Sequence, residues 1–230
     1  MSLLKVFSTN AVNAALCELV PVFERDSGNQ VTVDFYPTNQ LLERVKDGEK
    51  ADVAIATAAG IDELTDLGKI IAGTRADLGS SGVGVGVRAG APHPDISTVA
   101  AFKRALLDAE SIAYASRGVG GILLTKLAAR FDMTELLQTK ARTRPGGLIG
   151  ELVVQGEAEL CVQMISEILA VKGCELVGPF PPGLQQVTMF AAGILDSAKQ
   201  VDAARTLIEF LTSPAAARVM KSRGLEPPKR

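Results

Sequence analysis

The chain has 230 residues, 47% of them apolar and 22% charged, with a net charge of -2 at pH 7, enough for one large domain or two small lobes around a sizeable core. So small a charge carries no broad basic field, which argues against nucleic acid as a partner, and no segment approaches the roughly 20 apolar residues of a membrane helix. Cys17, Cys161 and Cys174 are odd in number without C-x-x-C spacing, and the single histidine, His93, lies between prolines and reads as an exposed loop residue; a disulfide framework, a zinc site, a Ser–His triad and His-rich metal ligation are all disfavoured.

In chain order, apolar periodicity predicts an alternation of strands and helices. Leu4–Phe7 reads as a strand, followed by a helix with Val12, Leu16, Leu19 and Phe23 on one face. Pro21 inside that helix should kink or split it, because proline removes a backbone donor; Ser27-Gly28-Asn29 ends it. Val31–Phe35 is a strand, Gln40–Val45 a helix, Val53–Ala56 a strand and Ile61–Leu67 a helix. This order implies a mostly parallel sheet covered on both faces.

Gly79–Val87 breaks the rhythm, with Gly82, Gly84 and Gly86 alternating with valines. A dinucleotide fingerprint needs G-x-G-x-x-G opening a helix. This run continues as a strand to Val87-Arg88-Ala89-Gly90, so it reads as a strand pressed against another backbone or crossing between lobes. A second alternating unit follows. Val99, Phe102 and Leu106 mark a helix, Ile112–Tyr114 a strand, Ile122, Leu127 and Phe131 a helix, Gly147–Val154 a helix and Leu160–Met164 a buried strand. Gln186–Ala192 is extended and carries the chain back. Two helices close the chain, the last with Ser213 as N-cap, Pro214 at its first position and Gly224 beyond its end. The expected architecture is α/β with two lobes, residues 1–82 plus 192–230 and residues 83–191, joined by extended crossings near 82–88 and 187–192.

Short polar and glycine stretches sit where strands should pass into helices: Ser8-Thr9-Asn10, Pro37-Thr38-Asn39-Gln40, Thr57-Ala58-Ala59-Gly60, Ser116-Arg117-Gly118-Val119-Gly120-Gly121 and Arg144-Pro145-Gly146-Gly147. Such loops aim several N–H groups at one spot, and the helix dipole adds partial positive charge. Nearly free of acids, they point to a cleft for a small anion. Ser8, Asn10, Thr38, Asn39 and Thr57 are candidate contacts, with helix capping as the plain alternative. Arg117, with Gly118, Val119 and Gly120 beside it, is the leading candidate: its guanidinium fork suits a planar carboxylate, against a solvated surface arginine. Arg144, Arg75 and Gly147 lie in comparable loops. Gln163 and Ser166 follow a buried strand, where they either meet the ligand or are satisfied within the core. Tyr36 either reaches the cleft or covers its rim, and Glu167 is expected at the surface. No acid is offered to an ammonium group, and a chain with no Trp and 4% aromatics lacks the platforms of a sugar site. The favoured ligand is an oxyanion or a di- or tricarboxylate; no catalytic residue, metal site or cofactor is marked by spacing.

Several stretches carry a resemblance: Val6-Phe7-Ser8-Thr9-Asn10-Ala11, Phe35-Tyr36-Pro37-Thr38-Asn39-Gln40-Leu41, Ala51-Asp52-Val53-Ala54-Ile55-Ala56-Thr57, Gly118-Val119-Gly120-Gly121-Ile122, and Leu207–Leu211 followed by Ser213-Pro214-Ala215-Ala216-Ala217. In this order the chain resembles the class II periplasmic solute-binding proteins, and among them the molybdate-binding branch. The resemblance implies a two-lobed fold closing on one ligand, with anion contacts near Asn10-Ala11, Thr38-Asn39, Gly120, Leu148 and Met164. Ala11 stands where that branch places a serine, and Met164 where it tends to place a tyrosine, so hydroxyls that would serve a tetrahedral oxyanion are missing. The implied function is capture of a small anion between the lobes for an ABC transporter permease, by a monomer. The alternative is an enzyme on the same scaffold, since some relatives of the branch isomerise aconitate; Glu167, Tyr36, Tyr114 or a lysine would then move the proton. A cytosolic ligand sensor is a third reading. The resemblance implies the periplasm, yet no basic n-region, apolar h-region or cleavage site precedes Leu4, so a trimmed mature chain and a cytoplasmic one both stay open.

Overall fold

A computed structural model describes residues 2–228; Met1, Lys229 and Arg230, which the expected lobe limits include, lie outside the described residues. In chain order the elements are β1 (Leu3–Thr9), a 3-10 turn (Asn10–Val12), α1 (Asn13–Ser27), β2 (Gln30–Tyr36), α2 (Thr38–Lys46), β3 (Val53–Thr57), α3 (Ala58–Asp66), β4 (Ala76–Arg88), α4 (Val99–Asp108) and β5 (Ile112–Ala115). There follow α5 (Val119–Arg130), α6 (Thr134–Lys140), β6 (Ala141–Arg144), α7 (Gly150–Val154), β7 (Leu160–Met164), α8 (Ile165–Ile168), β8 (Cys174–Pro179), β9 (Val187–Ile194), α9 (Val201–Leu211) and α10 (Pro214–Ser222). No described helix is long and apolar enough to cross a membrane.

Internal contacts divide the chain into two compact units. One takes the chain up to Ser80 and again from Thr188; the other runs Ser81–Val187. The chain leaves the first unit inside β4 and re-enters it one residue into β9, so both crossings are extended. The boundaries fall two and four residues earlier than the sequence-based limits of 82/83 and 191/192.

In the first unit the strand order is β2-β1-β3-β9, with β1 parallel to β2 and β3, and β9 antiparallel to β3. Leu4 and Val6 on one face of β1 and Phe7 on the other are all buried, as a helix-covered parallel sheet requires. Phe7 joins Leu41, Leu42 and Val45 of α2 and Ile61 and Leu64 of α3 in one core cluster. On α1, Leu16, Leu19 and Phe23 are buried, and Phe23 meets Phe210 of α9 at 5.6 Å between ring centroids. Pro21 does not split α1, which is one continuous helix. Pro21 and Cys17, whose carbonyl loses its partner, both lie on the exposed face, where water can replace the missing bond. Asp52, a buried acid at the start of β3 that the sequence reading passed over, accepts from the N–H groups of Lys5 (2.9 Å), Lys199 (2.8 Å) and Gln200 (3.3 Å), tying β1 to the approach to α9.

In the second unit the sheet runs β8-β4-β7-β5-β6; β4 is antiparallel to β7 and β8, while β5 is parallel to β7 and β6. The glycine face of β4 is a close approach, as its sequence suggests. A Cβ on Gly84 would lie 2.9 Å from Leu176 and 3.0 Å from the Gly178 carbonyl; one on Gly86 would lie 2.8 Å from Cys161 Sγ and 3.1 Å from Cys174 Sγ. The two thiols meet over Gly86 at 3.8 Å. Yet Cys161 is on β7 and Cys174 on β8, with β4 between them. Two interstrand spacings separate those backbones by about 9.6 Å, beyond the roughly 7 Å that a disulfide spans.

The helix expected over Gly147–Val154 begins only at Gly150, because Gly147 takes a left-handed φ of 91° that helical residues do not adopt. Among the elements absent from the sequence reading, α6 and α8 are short, whereas β6 (Ala-Arg-Thr-Arg) and β8 carry partly exposed, polar edges without a clean period.

Close approach also shapes α5. A Cβ on Gly121 would stand 2.0 Å from the Ala115 carbonyl oxygen, so the main chain would have to move; one on Gly178 would meet Ile96 at an ordinary 3.6 Å. Gly121→Ala is therefore expected to destabilise by about 2–3 kcal/mol and Gly178→Ala by less than about 1 kcal/mol, as read from urea midpoints.

Candidate functional site

In the first unit the parallel strands β2, β1 and β3 end side by side at Tyr36, Thr9 and Thr57, and each leads into a helical start at Thr38, Asn10 or Ala58. The first turns of all three starts contain no acidic residue, so their amides present positive potential at one sheet edge. Neither the Asn10 turn nor α2 receives a side-chain cap. In α2 the residue before the helix is Pro37, which has no side-chain oxygen to offer and accepts only through its carbonyl, from the Leu41 N–H at 3.0 Å. Thr57 does cap α3, its Oγ1 accepting from the Gly60 N–H at 3.2 Å.

Thr38 Oγ1 donates to Thr9 Oγ1 at 3.1 Å, linking the first two of these starts. Thr9 is buried and was not singled out from sequence; its place at a strand end inside Ser8-Thr9-Asn10 was the available signal. Asn10 is half-buried, Asn39 exposed and Ala11 buried. Ser8 is fully buried within β1, its Oγ donating to the Thr9 carbonyl at 3.2 Å, so it supports the edge from inside the sheet. Tyr36 packs edge-on to Phe7 at 5.7 Å, with the Arg44 guanidinium 4.5 Å above its ring, which matches a rim position.

In the second unit the parallel strands β7, β5 and β6 end at Met164, Ala115 and Arg144. The loops after β5 and β6 are tied together: Ser116 N–H and Oγ both donate to the Arg144 carbonyl (2.9 and 3.4 Å), and the Arg117 N–H donates to the Pro145 carbonyl (3.3 Å). Gly118 is the N-cap of α5, whose first turn, starting Val119-Gly120, is free of acids. The three loop arginines differ in their partners. Arg144 is held by Glu151 (3.4 Å) and Glu157 (3.9 Å), and Arg75, in the first unit, by Asp62 (2.7 Å) and Asp77 (3.0 Å). Arg117 is exposed and, among the described residues, makes no ion pair.

Gln163 is 2% exposed, and its amide is engaged by the protein. Oε1 accepts from the N–H groups of Ile149 (2.8 Å) and Gly150 (3.3 Å), while Nε2 donates to the Gly147 carbonyl (2.8 Å). A Cβ on Gly120 would come within 3.0 Å of Gln163 Cα. Gln163 and Gly120 therefore build the wall of the site by mutual contact, and Gly147 supplies the turn that Gln163 holds. Met164 is buried and Leu148 half-buried.

Ser166 is also buried, with no hydrogen-bond partner for its Oγ; its N–H donates to Ser81 Oγ at 3.3 Å. Glu167 departs from its expected surface placement. It is a half-buried residue of α8, and burial pushes its carboxyl up to about 7, opposed only by the Met164 N–H that it accepts at 3.3 Å. Among the described residues no group of three or more His, Cys, Asp or Glu side chains could hold a metal ion. His93 sits half-exposed, 3.3 Å from Glu175, away from these strand ends.

The first unit thus presents three acid-free helical starts, whereas of the helices that follow β5, β6 and β7 in the second unit only α5 starts free of acids, α7 and α8 carrying Glu151 and Glu167 in their first turns. Residues 4–226 match the family described as bacterial extracellular solute-binding protein. The chain belongs to this family. Among relatives of this solute-binding protein, an aconitate isomerase from a Pseudomonas species is 32% identical over 97% of this chain and 87% of its own length. A molybdate-binding protein ModA from Azotobacter vinelandii is 27% identical over 92% and 84%. In structure, the Azotobacter vinelandii periplasmic molybdate-binding protein superposes with a TM-score of 0.81 at 17% identity, covering 98% of this chain and all of its own.

Two predictions follow from the geometry of the second unit. Gln163→Leu strands two buried N–H groups at about 1–3 kcal/mol each and should lower the unfolding midpoint and speed hydrogen exchange at Ile149 and Gly150. The Glu167 carboxyl binds its proton more tightly in the folded chain, so its contribution is most favourable at low pH. That contribution is lost as pH rises from about 4.5 to about 7, by at most about 3 kcal/mol. Glu167→Gln should remove this loss, and the stability difference between variant and wild type should grow across that window and then level off.

Proposed function

We propose that this solute-binding protein captures a small di- or tricarboxylate anion at its strand-end loops and presents it to an ABC-type transporter. The observation that carries this reading is Arg117. It stands exposed beside the α5 N-terminus without an ion pair among the described residues, while Arg75 and Arg144 are each held by two carboxylates. A planar carboxylate takes the guanidinium fork in two parallel bonds. The buried Ala11 and Met164 offer no hydroxyl to a tetrahedral oxyanion, which favours carboxylate over molybdate. The contacts we assign in the second unit are Arg117 and the amides of Gly118, Val119 and Gly120; in the first unit Asn10, Thr38 and Asn39 are the residues we assign to anion binding at its own strand ends. This reading puts the protein on the outer side of the cytoplasmic membrane, working as a monomer, where a solute-binding protein meets its transporter.

A second reading, isomerisation of aconitate, is favoured by Glu167 and by the relative that carries that name. A carboxyl held near 7 can both take and return a proton at neutral pH. Moving a double bond within a tricarboxylate needs only that: a proton leaves the methylene carbon and another is added at the far end of the delocalised anion, with no net consumption.

The test is thermal unfolding against molybdate, tungstate, sulfate, phosphate, citrate, both aconitates and several C4 acids. A ligand at about 1,000 times its Kd adds about 4 kcal/mol, several degrees in Tm. A rise with carboxylates that Arg117→Ala reduces at least tenfold in apparent affinity is expected. A rise confined to molybdate and tungstate overturns the carboxylate assignment. Incubation with each aconitate, followed by chromatography of the isomers, decides the second reading: interconversion lost in Glu167→Gln supports it, and no interconversion leaves a binding protein.

A further inference from the structure

Cys161 and Cys174 are free thiols, one buried and one half-buried, with their sulfurs 3.8 Å apart. They reach each other across β4, where Gly86 stands opposite Cys161 and Arg88 opposite Cys174. The glycine makes the meeting possible: a Cβ on it would lie 2.8 Å from one sulfur and 3.1 Å from the other. The same strand holds the two backbones too far apart for a disulfide, so contact between the sulfurs does not lead to a bond. Both thiols stay available as ligands.

The surroundings of the sulfurs are apolar. Cys161 shares a core cluster with Ile149, Leu152 and Ile168, and Cys174 packs against it. Gly150 of α7 lies over Cys174, where a Cβ would come within 3.2 Å of the sulfur. The elements that meet here are β4, β7, β8, α7 and α8, and their charged side chains are engaged or exposed. Asp77 pairs with Arg75, Glu151 with Arg144 and Glu175 with His93; Glu167 accepts from the Met164 N–H, and Arg88 is exposed. Among the described residues no third His, Cys, Asp or Glu completes a larger metal-holding group. A cation bound between these sulfurs has two protein ligands.

We propose that Cys161 and Cys174 form a two-thiolate site for a soft divalent cation that accepts two-coordination, mercury(II) being the type. Thiolate sulfur selects soft ions over hard ones. Two metal–sulfur bonds of about 2.3 Å span 3.8 Å at an angle of about 110° and reach about 4.6 Å when opposed. A linear site therefore asks the side chains to part by under about 1 Å. Binding forms two metal–sulfur bonds and releases both thiol protons to solvent; no electron is transferred. The resulting complex is neutral, which suits apolar surroundings that offer no counter-charge. Zinc is disfavoured by coordination number, since its closed sites take four ligands. Metal binding here is independent of the carboxylate reading above.

The probe is mercury(II) chloride, added at one equivalent to the full chain carrying Cys17→Ser, so that the exposed third thiol takes none. Native mass spectrometry is expected to show a monomer with one mercury gained and two hydrogens lost, while circular dichroism keeps its native form. Cys161→Ser and Cys174→Ser, each added to that background, should hold mercury through one sulfur with chloride retained. They should release it to mercaptoethanol at a concentration at least about 100-fold lower than the pair requires. Zinc(II) should not survive desalting. Chloride retained on the paired protein, a second mercury per chain, mercury bridging two chains, uptake only with loss of the native spectrum, or zinc held as firmly each overturns the two-thiolate site. The mass of the paired protein decides by itself if a serine variant fails to fold.

Discussion

The second unit is organised around one side chain that belongs to the protein rather than to any ligand. The Gln163 amide sits at the end of β7 and holds three backbone groups of the loop after β6, while its own main chain lies so near Gly120 that no Cβ fits between them. The loops leading to α5 and α7 are thereby set by contact with a single residue. Because the amide's donor and acceptor are committed at once, the loop after β6 cannot shift without leaving a buried polar group unpaired, while the α5 loop is held by close packing of Gly120 on the Gln163 main chain. A site made of backbone N–H groups needs such a constraint, since a flexible loop loses in ordering entropy what its amides gain.

The first unit solves the same problem differently. Its three parallel strand ends feed three helical starts, and the ordering comes from within the edge itself: Thr38 bonds to Thr9, and Thr57 caps α3. Asp52 ties the opposite end of the sheet to the approach to α9. In both units the residues that give the edges their shape are uncharged. Charge at the second unit's edge includes Arg117, exposed, Glu167, half-buried, and Arg144, held by Glu151 and Glu157. This division separates what holds the loops from what could discriminate among anions: amide arrays favour any anion, whereas a guanidinium fork suits a planar carboxylate.

Local chemistry was a good guide wherever one residue acts through its neighbours in sequence. The alternation of strands and helices, the Gly28 stop with its φ of 72°, the Ser213 cap of α10 and the close approach of β4 through its glycines all follow from period, capping and the absence of a Cβ. The exceptions were short or half-exposed elements. In β6 and β8 the edge position leaves side chains partly in water, so no hydrophobic period marks them. Pro21 misled because the consequence of a missing donor depends on which face of the helix it lies on.

The sequence by itself thus determined the class of fold, the order of its longer elements and the place of the polar, glycine-rich loops at the strand ends, since these depend on short-range patterns of burial, capping and backbone freedom. Only the tertiary structure decided which of the three loop arginines makes no ion pair among the described residues, that Glu167 is half-buried with its carboxyl pushed up to about 7, that Gln163 serves the loop after β6, and that two cysteines face each other across an intervening strand. Each of these is set by residues distant in the chain: ion pairing and desolvation depend on what the fold brings alongside a group, and nothing in the group's own neighbourhood in sequence carries that information.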